Sequence, residues 1–310
     1  MTVALVTLVL PRSAVVPSAQ SRFEIAFYNI RSGKGSQPLR GHPSAFAESD
    51  NCTDTKKPIN AWGAGVVQRE LTTRLNGDAD RRGAGARGVD VVALGLAEAW
   101  NCARPSAVRQ ALGWNTATDE RNGTALVARF GIRGSPRWVQ LDTSRNTNPK
   151  DTAWTLGAAV CLDTDCRATI DVYVTHWAGT GPSAQNTYDS QARDTVAMMS
   201  SSRGPHVLAG DLNVFEGSRV CNQNPNDTSL PILRGAGYID TWATLHPGDD
   251  GFTGMTNRAG CGHPEGATWK RIDYVWSKGM APVSIDRFGM VPPGDAAPSD
   301  HYGLIAGFSR

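Results

Sequence analysis

Short apolar runs that are typical of β-strands recur along this chain, and several of them end at a residue that can do chemistry. Glu98 and His176 each close such a run. Another run leads into Gly210-Asp211-Leu212-Asn213, and Ser299-Asp300-His301 stands directly before the last one. Because the ends of neighbouring strands can meet on one rim of a sheet, the pattern predicts that carboxylates, an amide and imidazoles converge on a single site.

The same runs predict the elements of the fold. Strands are expected at residues 23–30, 89–94, 124–128, 137–141, 155–162, 168–175, 206–209, 271–277, 283–288 and 302–308. Helices are expected at residues 61–75, 105–112, 183–201 and 231–245. Strands outnumber helices and many are joined by loops of hairpin length, which disfavours a doubly wound parallel sheet. The pattern favours an α+β sandwich of mostly antiparallel sheets with helices outside.

The composition is compatible with one large domain. Of the 310 residues, 40% are hydrophobic and 19% are charged, which is enough apolar content for a sizeable core. No change in composition after residue 30 marks a linker, so residues 21–310 are interpreted as a single domain. The net charge is only +2, so no global basic field indicates a nucleic-acid binder, and none excludes one.

The first twenty or so residues resemble a secretory signal peptide. Residues 3–10 are apolar and residues 11–19 are small and contain proline, although no positive charge precedes Arg12. Six cysteines, an even number, are consistent with disulfides in an exported protein. Residues 1–20 are therefore predicted to be a leader and the protein to be extracellular, with a disordered cytosolic leader as the alternative. No run approaches the ~20 apolar residues of a membrane span.

Each polar strand end could be structural or chemical. Asp211 and Asn213 could simply form a turn, or they could activate water and bind a phosphoryl oxygen. Glu98 could be a solvated loop acid, but a carboxylate is also a natural ligand of Mg²⁺ or Ca²⁺. Asn29, at the end of the first strand, could be a turn former, a second oxygen ligand or a hydrogen-bonding support. His176 is followed by a tryptophan and could be a packed histidine.

His301 has the best support from its neighbours. Asp300 precedes it directly, and Asp273 lies in another predicted strand. A carboxylate bonded to an imidazole fixes its tautomer and stabilises its protonated form. Either His301 or His176 could then donate a proton to a phosphoryl oxygen or to a leaving alkoxide.

In this order the motifs resemble the endonuclease/exonuclease/phosphatase superfamily, the deoxyribonuclease I-like fold. The matching segments lie within about residues 23–308 and are Phe27-Tyr28-Asn29-Ile30-Arg31, Leu96-Ala97-Glu98, residues 123–129, Val174-Thr175-His176, Gly210-Asp211-Leu212-Asn213, Arg271-Ile272-Asp273-Tyr274 and Ser299-Asp300-His301. The resemblance implies a four-layer sandwich in which two β-sheets pack face to face and are flanked by helices.

The resemblance also implies a metal side of the site. Asn29 and Glu98 would be the metal-side pair, with Glu98 as the chief Mg²⁺ ligand, and Asp300 would be a metal-linked acid. Ca²⁺ and Mn²⁺ are alternatives to Mg²⁺. Arg31 would approach the phosphate of the substrate, as in secreted deoxyribonucleases, whereas members specialised for abasic sites carry an acid at that position.

The implied catalytic set has five members. His176 would contact the scissile phosphate, Asp211 and Asn213 would activate and position the attacking water, and Asp273 would buttress the second catalytic histidine, His301. An acid partner for His176 is expected between residues 115 and 122, where Asp119 and Glu120 are both available.

The cysteines extend the same interpretation. Cys161 and Cys166 flank a predicted hairpin turn and could bridge it. A bridge between Cys221 and Cys261 would resemble one in secreted deoxyribonucleases, which leaves Cys52 with Cys102. Six cysteines allow about fifteen connectivities, so this pairing is a hypothesis.

The leading hypothesis is a secreted, Mg²⁺-dependent DNA endonuclease that uses in-line attack by water. Its expected partner is DNA or another phosphodiester substrate, and the chain is expected to be a monomer without a stable protein partner. A sphingomyelinase-like lipid phosphodiesterase or another phosphoesterase is the alternative, and exposed tryptophans such as Trp62 or Trp177 would suit a membrane surface. A catalytically silent binding or toxin-delivery module is the third reading, against which the complete set of acids and histidines argues.

Overall fold

The computed structural model describes residues 22–31, 36–39, 42–48, 66–75, 90–100, 103–148, 150, 152–179, 184–214, 228–256, 268–289 and 299–309. The strands are β1 (Arg22–Asn29), β2 (Ser36–Leu39), β3 (His42–Glu48), β4 (Val91–Ala97), β5 (Thr116–Ala117), β6 (Ala125–Ala128), β7 (Ile132–Leu141), β8 (Ala153–Cys161), β9 (Thr169–His176), β10 (His206–Asp211), β11 (Ile239–Asp240), β12 (Gly254–Thr256), β13 (Thr268–Lys270), β14 (Asp273–Lys278), β15 (Ala281–Phe288) and β16 (Gly303–Ser309). The helices are α1 (Val66–Leu75), α2 (Pro105–Leu112), α3 (Ala184–Met199), α4 (Ser229–Gly235) and α5 (Thr241–Leu245).

Two six-stranded mixed sheets form the centre of the molecule. The first has the order β15-β16-β1-β4-β6-β5 and the second has the order β11-β14-β10-β9-β8-β7. Each contains one parallel pair near its middle, β1 with β4 and β9 with β10, and its other pairs are antiparallel. Two short two-stranded sheets, β2–β3 and β12–β13, accompany them.

The apolar side chains divide among three packing layers. The inner faces of the two sheets pack on each other, with Phe27 of the first sheet and Val174 of the second in one cluster. Helices α1 and α2 cover the outer face of the first sheet, where Leu71 and Val108 pack with residues such as Tyr28 of β1 and Leu94 of β4. Helices α3 and α4 cover the outer face of the second sheet, through residues such as Met199. The order helix, sheet, sheet, helix confirms the predicted four-layer sandwich.

The helix predicted within residues 231–245 is divided in two. Residues 229–245 form the helices α4 and α5, with the short strand β11 between them. Gly237 adopts a φ of +85°, a left-handed conformation that glycine takes readily and that stops the helix. The chain then pairs Ile239 with Ser277 at the edge of the second sheet before α5 begins. The Asp240 side chain accepts from the Ala243 N–H and caps α5.

Other predictions differ only at their ends or lie outside the described residues. Strand β7 begins at Ile132 rather than at residue 137, and the part of the first helix before Val66 is outside the described range. The bridge between Cys161 and Cys166 is present, with 4.7 Å between their Cα atoms. The other two proposed disulfides, the leader and Trp62 lie outside the described residues. No described helix is long and apolar enough to span a membrane.

Candidate active site

Three polar side chains stand side by side at one end of the second sheet. In the parallel pair β9–β10, His176 is in register with Asp211. In the antiparallel pair β10–β14, Asp211 is in register with Asp273. The last residues of β9 and β10 and the first residue of β14 therefore form one row, because antiparallel pairing turns the start of β14 toward the end of β10.

The first sheet delivers a matching set to the same end of the sandwich. Asn29 ends β1 and pairs with Ala97, so Glu98 begins the loop just beyond it. Strand β16 runs antiparallel to β1, with Leu304 opposite Phe27. The residues just before β16, which include His301, therefore lie beside the end of β1. Chain direction alone thus brings together residues that are distant in sequence.

Asp211 is the centre of the site. It is only 2% exposed, and its Oδ2 accepts a hydrogen bond of 2.9 Å from Asn29 Nδ2. The same oxygen lies 3.7 Å from His176 Nε2 and 3.9 Å from His301 Nε2. Its Oδ1 accepts from the backbone N–H of Asn213 at 2.9 Å. One buried carboxylate therefore faces both imidazoles, with the amide of the other sheet holding it in place.

Asp273 and His301 form a buried acid–imidazole pair. His301 Nδ1 lies 2.8 Å from Asp273 Oδ2, which leaves Nε2 facing Asp211. Burial raises the pKa of Asp273 to about 6, although the neighbouring His301 acts in the opposite direction. Burial alone would lower the pKa of His301, but the negative charge of Asp273, with those of Asp211 and Asp300, raises it well above its ordinary value. His301 is thus held as an imidazolium near neutral pH.

Asn29 links the carboxylates of the two sheets. Its Nδ2 donates to Glu98 Oε1 at 3.2 Å as well as to Asp211, while its Oδ1 accepts from the Arg31 N–H at 3.1 Å. The amide nitrogen thus faces the acids, and the amide oxygen is used by the backbone. Of the roles predicted for Asn29, the hydrogen-bonding support matches this arrangement.

Left-handed backbone marks three of the residues in the site. Arg31, Glu98 and Asn213 have φ angles of 46°, 52° and 52°, which non-glycine residues adopt infrequently. Each follows the end of a strand whose last residues are buried, so the turn redirects its side chain out of the regular alternation of the strand. Gly123 makes room for this at Glu98, because a Cβ on it would lie 2.7 Å from the Glu98 Cα.

Asn213 and Arg31 have partners within the protein. The Asn213 amide nitrogen donates to the carbonyl of the fully buried Trp177 at 2.9 Å. Arg31 Nε lies 3.5 Å from Asp300 Oδ2, so the predicted phosphate ligand neutralises a predicted metal-linked acid. The burial of Trp177 also removes it from the surface that a lipid substrate would meet.

Neither Asp119 nor Glu120, the two acids predicted as partners of His176, contacts its ring in the described part of the chain. Asp119 and Glu120 are both exposed, and Glu120 Oε2 instead accepts from the Gly123 N–H at 2.7 Å. The His176 ring faces Asp211 rather than either of these acids. Glu120 therefore accepts from the backbone of Gly123, which packs against Glu98, and does not serve as the partner of His176.

Two supporting residues have no counterpart in the predicted set. Ser299 is buried, and its hydroxyl donates to the Asn29 carbonyl at 2.7 Å while accepting from the His301 N–H at 3.2 Å. Thr253 accepts at its hydroxyl from the Asp273 N–H at 3.0 Å, and its carbonyl accepts from the Tyr302 N–H. Ser299 belongs to the last motif and could have been found there, whereas nothing around Thr253 marks it in the sequence.

The donor set fits a hard divalent cation. Glu98 and Asp211 present carboxylate oxygens to the same Asn29 amide, and such oxygens are what Mg²⁺ and Ca²⁺ prefer. Ligand atoms of Asp211, Asp273 and His301 also all lie within 4.8 Å of one another. Asp273 and His301 are hydrogen-bonded to each other, so they are less available to a cation. Glu98 is therefore the carboxylate better placed to serve as a metal ligand.

A sequence profile and several solved structures resemble this chain. The profile of the Endonuclease/Exonuclease/phosphatase family matches residues 56–301. An endonuclease/exonuclease/phosphatase from Beutenbergia cavernae is 18% identical, with a TM-score of 0.59, over 94% of this chain and 72% of its own. No curated protein sequence matches the chain.

Two further structures show the range of proteins that share the fold. D. rerio TDP2 complexed with a single-strand DNA product is 13% identical, with a TM-score of 0.56, over 94% of this chain and 100% of its own. A mannosyl-6-phosphatase of Bacteroides thetaiotaomicron is 13% identical, with a TM-score of 0.57, over 93% of this chain and 100% of its own. At these identities the likeness is one of fold.

Proposed function

Since the chain belongs to the endonuclease/exonuclease/phosphatase family, whose members hydrolyse phosphoester bonds, we propose that it is a metal-dependent phosphodiesterase that cuts DNA. The observation that carries the proposal is the position of Asp211, which is buried, bonded to Asn29 and within 4 Å of two imidazole nitrogens. A carboxylate that faces two imidazoles can accept a proton from water while they face the phosphate. We further propose that the protein acts outside the cell.

The reaction is an in-line displacement at phosphorus by water. Asp211 takes a proton from the attacking water, and the amide of Asn29 keeps its Oδ2 in position for this. A new bond forms between the water oxygen and phosphorus, and the bond to the ester oxygen breaks. The products are a phosphomonoester and an alcohol.

The two histidines act on the oxygens of the phosphate. His301 is held protonated by Asp273 and offers its Nε2 proton to a non-bridging oxygen, where negative charge grows in the transition state. His176 approaches the same carboxylate from the neighbouring strand and is placed to contact the phosphate from the other side. The leaving alkoxide takes a proton from an imidazolium or from water.

Glu98 and Asp300 would hold the divalent cation, with Asn29 orienting Glu98 through its amide. When bound, the cation supplies positive charge that offsets the charge of the phosphate and its leaving oxygen. Mg²⁺ is the expected ion, with Ca²⁺ or Mn²⁺ as alternatives.

Charge near the site supports a nucleic-acid substrate over a lipid. Arg121 is exposed on a turn that touches Glu98, and Arg31, whose charge is partly offset by Asp300, lies at the rim of the site. Trp177, which would have suited a membrane surface, is fully buried. The neighbour solved with a single-strand DNA product shows that this fold accommodates DNA in that protein.

The experiment offers several substrates to the same purified protein. Supercoiled plasmid, RNA, sphingomyelin and a sugar phosphate are incubated with Mg²⁺, with Ca²⁺ or with EDTA. We expect nicked plasmid only with the metal, and a loss of about 10³-fold or more in Asp211→Asn and in His301→Ala. His246→Gln is the control, because His246 bonds the Ile285 carbonyl outside the site.

Other outcomes point elsewhere. Release of phosphocholine or of inorganic phosphate with an intact plasmid would exclude the nuclease proposal. Unchanged activity in Glu98→Gln would exclude Glu98 as the chief metal ligand.

A further inference from the structure

The turn between β5 and β6 carries an exposed arginine and is fixed to both sheets. Arg121 lies on this turn. Next to it, Asn122 donates from its Nδ2 to the Thr152 carbonyl, at the start of β8 in the second sheet. On the other side the Gly123 carbonyl accepts from the Ala99 N–H at 2.9 Å, directly after the metal-side glutamate of the first sheet. The backbone that bears Arg121 is thus held between the two halves of the site.

Two tryptophans support the Arg121 side chain. Its guanidinium carbon lies 4.7 Å from the ring centre of Trp154 and 5.1 Å from that of Trp138. The two rings are 6.4 Å apart and nearly perpendicular, at 84°. A cation over an indole face is attracted by the negative charge on that face. The rings therefore fix the guanidinium, while the residue as a whole stays exposed to solvent.

The pairing of β8 with β9 locates this cluster next to the reaction centre. Trp154 lies directly opposite His176 in the antiparallel register. Side chains directly opposite each other in such a pair project from the same face, with their Cβ atoms roughly 4.5–5.5 Å apart. Trp154 is thus the immediate neighbour of His176, and Arg121 lies one side chain farther out.

Arg121 forms no ion pair with any described carboxylate. By comparison, Arg31 pairs with Asp300, and Arg167 pairs with Asp165. A guanidinium whose donors are not used by a carboxylate can bind an incoming anion, and its planar shape suits the two oxygens of a phosphate.

We propose that Arg121, supported by Trp138 and Trp154, binds the phosphate next to the scissile one in a nucleic-acid strand. The inference rests on the proposed nuclease function and adds a second phosphate subsite, on the His176 side, to the site described above. A polynucleotide has such a neighbouring phosphate, whereas a substrate with a single phosphodiester does not. The subsite therefore makes the enzyme prefer strands to simple diesters.

The test compares two substrates in matched variants. Arg121→Gln removes the charge but keeps a long polar side chain. We expect its kcat/KM for a single-stranded oligonucleotide to fall on the order of tenfold, the scale of one charge-assisted contact. Its kcat/KM for bis(4-nitrophenyl) phosphate, which has one phosphodiester, should not change. The slope of log kcat/KM for the oligonucleotide against log salt concentration should become shallower by about 0.7, the value for one phosphate contact on a single strand.

Arg167→Gln is the matched control. Arg167 is an exposed arginine at the other end of the β8–β9 hairpin from His176, beside Asp165. This substitution removes the same charge from the protein, so neither substrate nor the salt slope should respond. A loss equal to that of Arg121→Gln would mean that net charge, and not a subsite, is responsible, which would overturn the proposal.

The remaining outcomes separate this inference from the proposed function. If Arg121→Gln loses activity equally on both substrates, Arg121 acts by placing Glu98, and the subsite is excluded. If the wild-type protein cuts the oligonucleotide and Arg121→Gln cuts it equally well, the subsite alone is excluded. If the wild-type protein hydrolyses the simple diester but no nucleic acid, the nuclease function is excluded and the subsite with it.

Discussion

At the scale of single residues, the site depends on how each ionisable group is partnered. Asp273 is fully buried and bonded to one nitrogen of His301, and that bond directs the other nitrogen at Asp211. Asn29 serves the two carboxylates with one amide. The charges of the site therefore belong to a connected group, and changing one of them alters the protonation of the others.

The first prediction at this scale concerns protonation. In Asp273→Asn, the pKa of His301 should fall, because the burial that lowers it remains while the carboxylate that raises it most is gone, although Asp211 and Asp300 still raise it. A raised pKa keeps the imidazolium present up to higher pH. Removing the Asp273 carboxylate therefore moves the deprotonation of His301 to lower pH. We expect His301 of the variant to lose its proton at a lower pH than in the wild type, and kcat to fall by about 10²-fold or more.

The measurement is an NMR titration of the histidine ring protons in metal-free protein, together with a pH–rate profile of the metal-bound enzyme. The ring signals of His246, which bonds the Ile285 carbonyl, should be unaffected and provide an internal control. If the titration midpoint of His301 is the same in Asp273→Asn and in the wild type, the pair does not set its protonation.

The second prediction at this scale concerns a glycine that makes room for a ligand. Gly123 has a φ of +73°, and a Cβ there would lie 2.7 Å from the Glu98 Cα and 2.8 Å from the Trp100 ring. We expect Gly123→Ala to cost about 2–4 kcal/mol of stability, since backbone strain and overpacking add. Because the displaced residue is Glu98, metal affinity and kcat should fall as well.

Gly113→Ala is the matched control for this substitution. Gly113 has a similar φ of +67°, but a Cβ there would meet nothing within 4 Å. It should cost only the strain of the left-handed backbone, about 1–2 kcal/mol, and leave activity intact. Urea unfolding and isothermal titration with Mg²⁺ measure the two effects, and equal results for both variants would contradict the role given to Gly123.

The sequence predicted the role of a site residue where that residue belonged to a recognisable motif. It did not predict contacts that depend on how the strands pack. Asp211 and His301 were located by their place at strand ends, and the structure brings them together. The acid next to His176 could not be chosen, because the nearest carboxylate in space belongs to β10 and not to the turn that sequence order suggests. The orientation of the Asn29 amide likewise depends on hydrogen bonds made across the two sheets.

At the scale of elements, one carboxylate joins two helices on the outer face of the second sheet. Asp189 of α3 accepts hydrogen bonds from Thr228 at 2.6 Å and from Ser229 at 2.8 Å, at the start of α4. Gln185, one turn earlier on α3, donates to the same carboxylate at 3.0 Å. The donors are the side-chain hydroxyls of Thr228 and Ser229, so the Asp189 carboxylate fixes the approach of α3 to the start of α4.

This contact makes a prediction about acid stability. Partial burial alone would raise the pKa of Asp189, but the hydrogen bonds from Thr228, Ser229 and Gln185 outweigh it and lower the pKa. A lowered pKa stabilises the fold above the ordinary value of 3.8, and the contribution is lost as pH falls through the folded-state pKa. Asp189→Asn should therefore cost about 1–2 kcal/mol at pH 7, and the cost should become smaller as pH falls below 3.8.

Urea unfolding of the wild type and of Asp189→Asn across this pH range measures the difference. Asp286→Asn is the control, because Asp286 is an exposed residue on β15 of the other sheet. A destabilisation by Asp189→Asn that is the same at pH 3 as at pH 7 would show that the charge of Asp189 makes no contribution.

Elements with a clear period were predictable, and their interruptions were not. The helix at residues 105–112 is found at its predicted ends, since proline starts it and Gly113, with a φ of +67°, stops it. Across residues 231–245 the helical period is continuous enough to suggest one helix. The helix is interrupted because β11 pairs with β14 at the edge of the second sheet. This is a tertiary contact that no local sequence pattern indicates.

At the scale of the whole molecule, the two sheets have the same plan. Each has a parallel pair near its centre and an antiparallel neighbour that returns to it, so each presents the ends of its central strands at the same edge of the sandwich. Counting strands and loops predicted an α+β sandwich of mostly antiparallel sheets, and the family resemblance implied its four layers. Neither predicted the hydrogen bond between Asn29 and Asp211, which are 182 positions apart and meet because the two sheets pack together.

The bond between Asn29 and Asp211 has a consequence for how the protein acquires its activity. Asn29 is carried by one sheet and Asp211 by the other, and Ser299 ties the segment before the last strand to Asn29. Neither half of the sandwich holds a working set of groups by itself. A newly made or refolding chain should therefore remain inert while its hairpins and helices form, and its hydrolytic power should arise in one step when the halves dock. For a protein proposed to cut DNA, this delay would protect the cell that makes it.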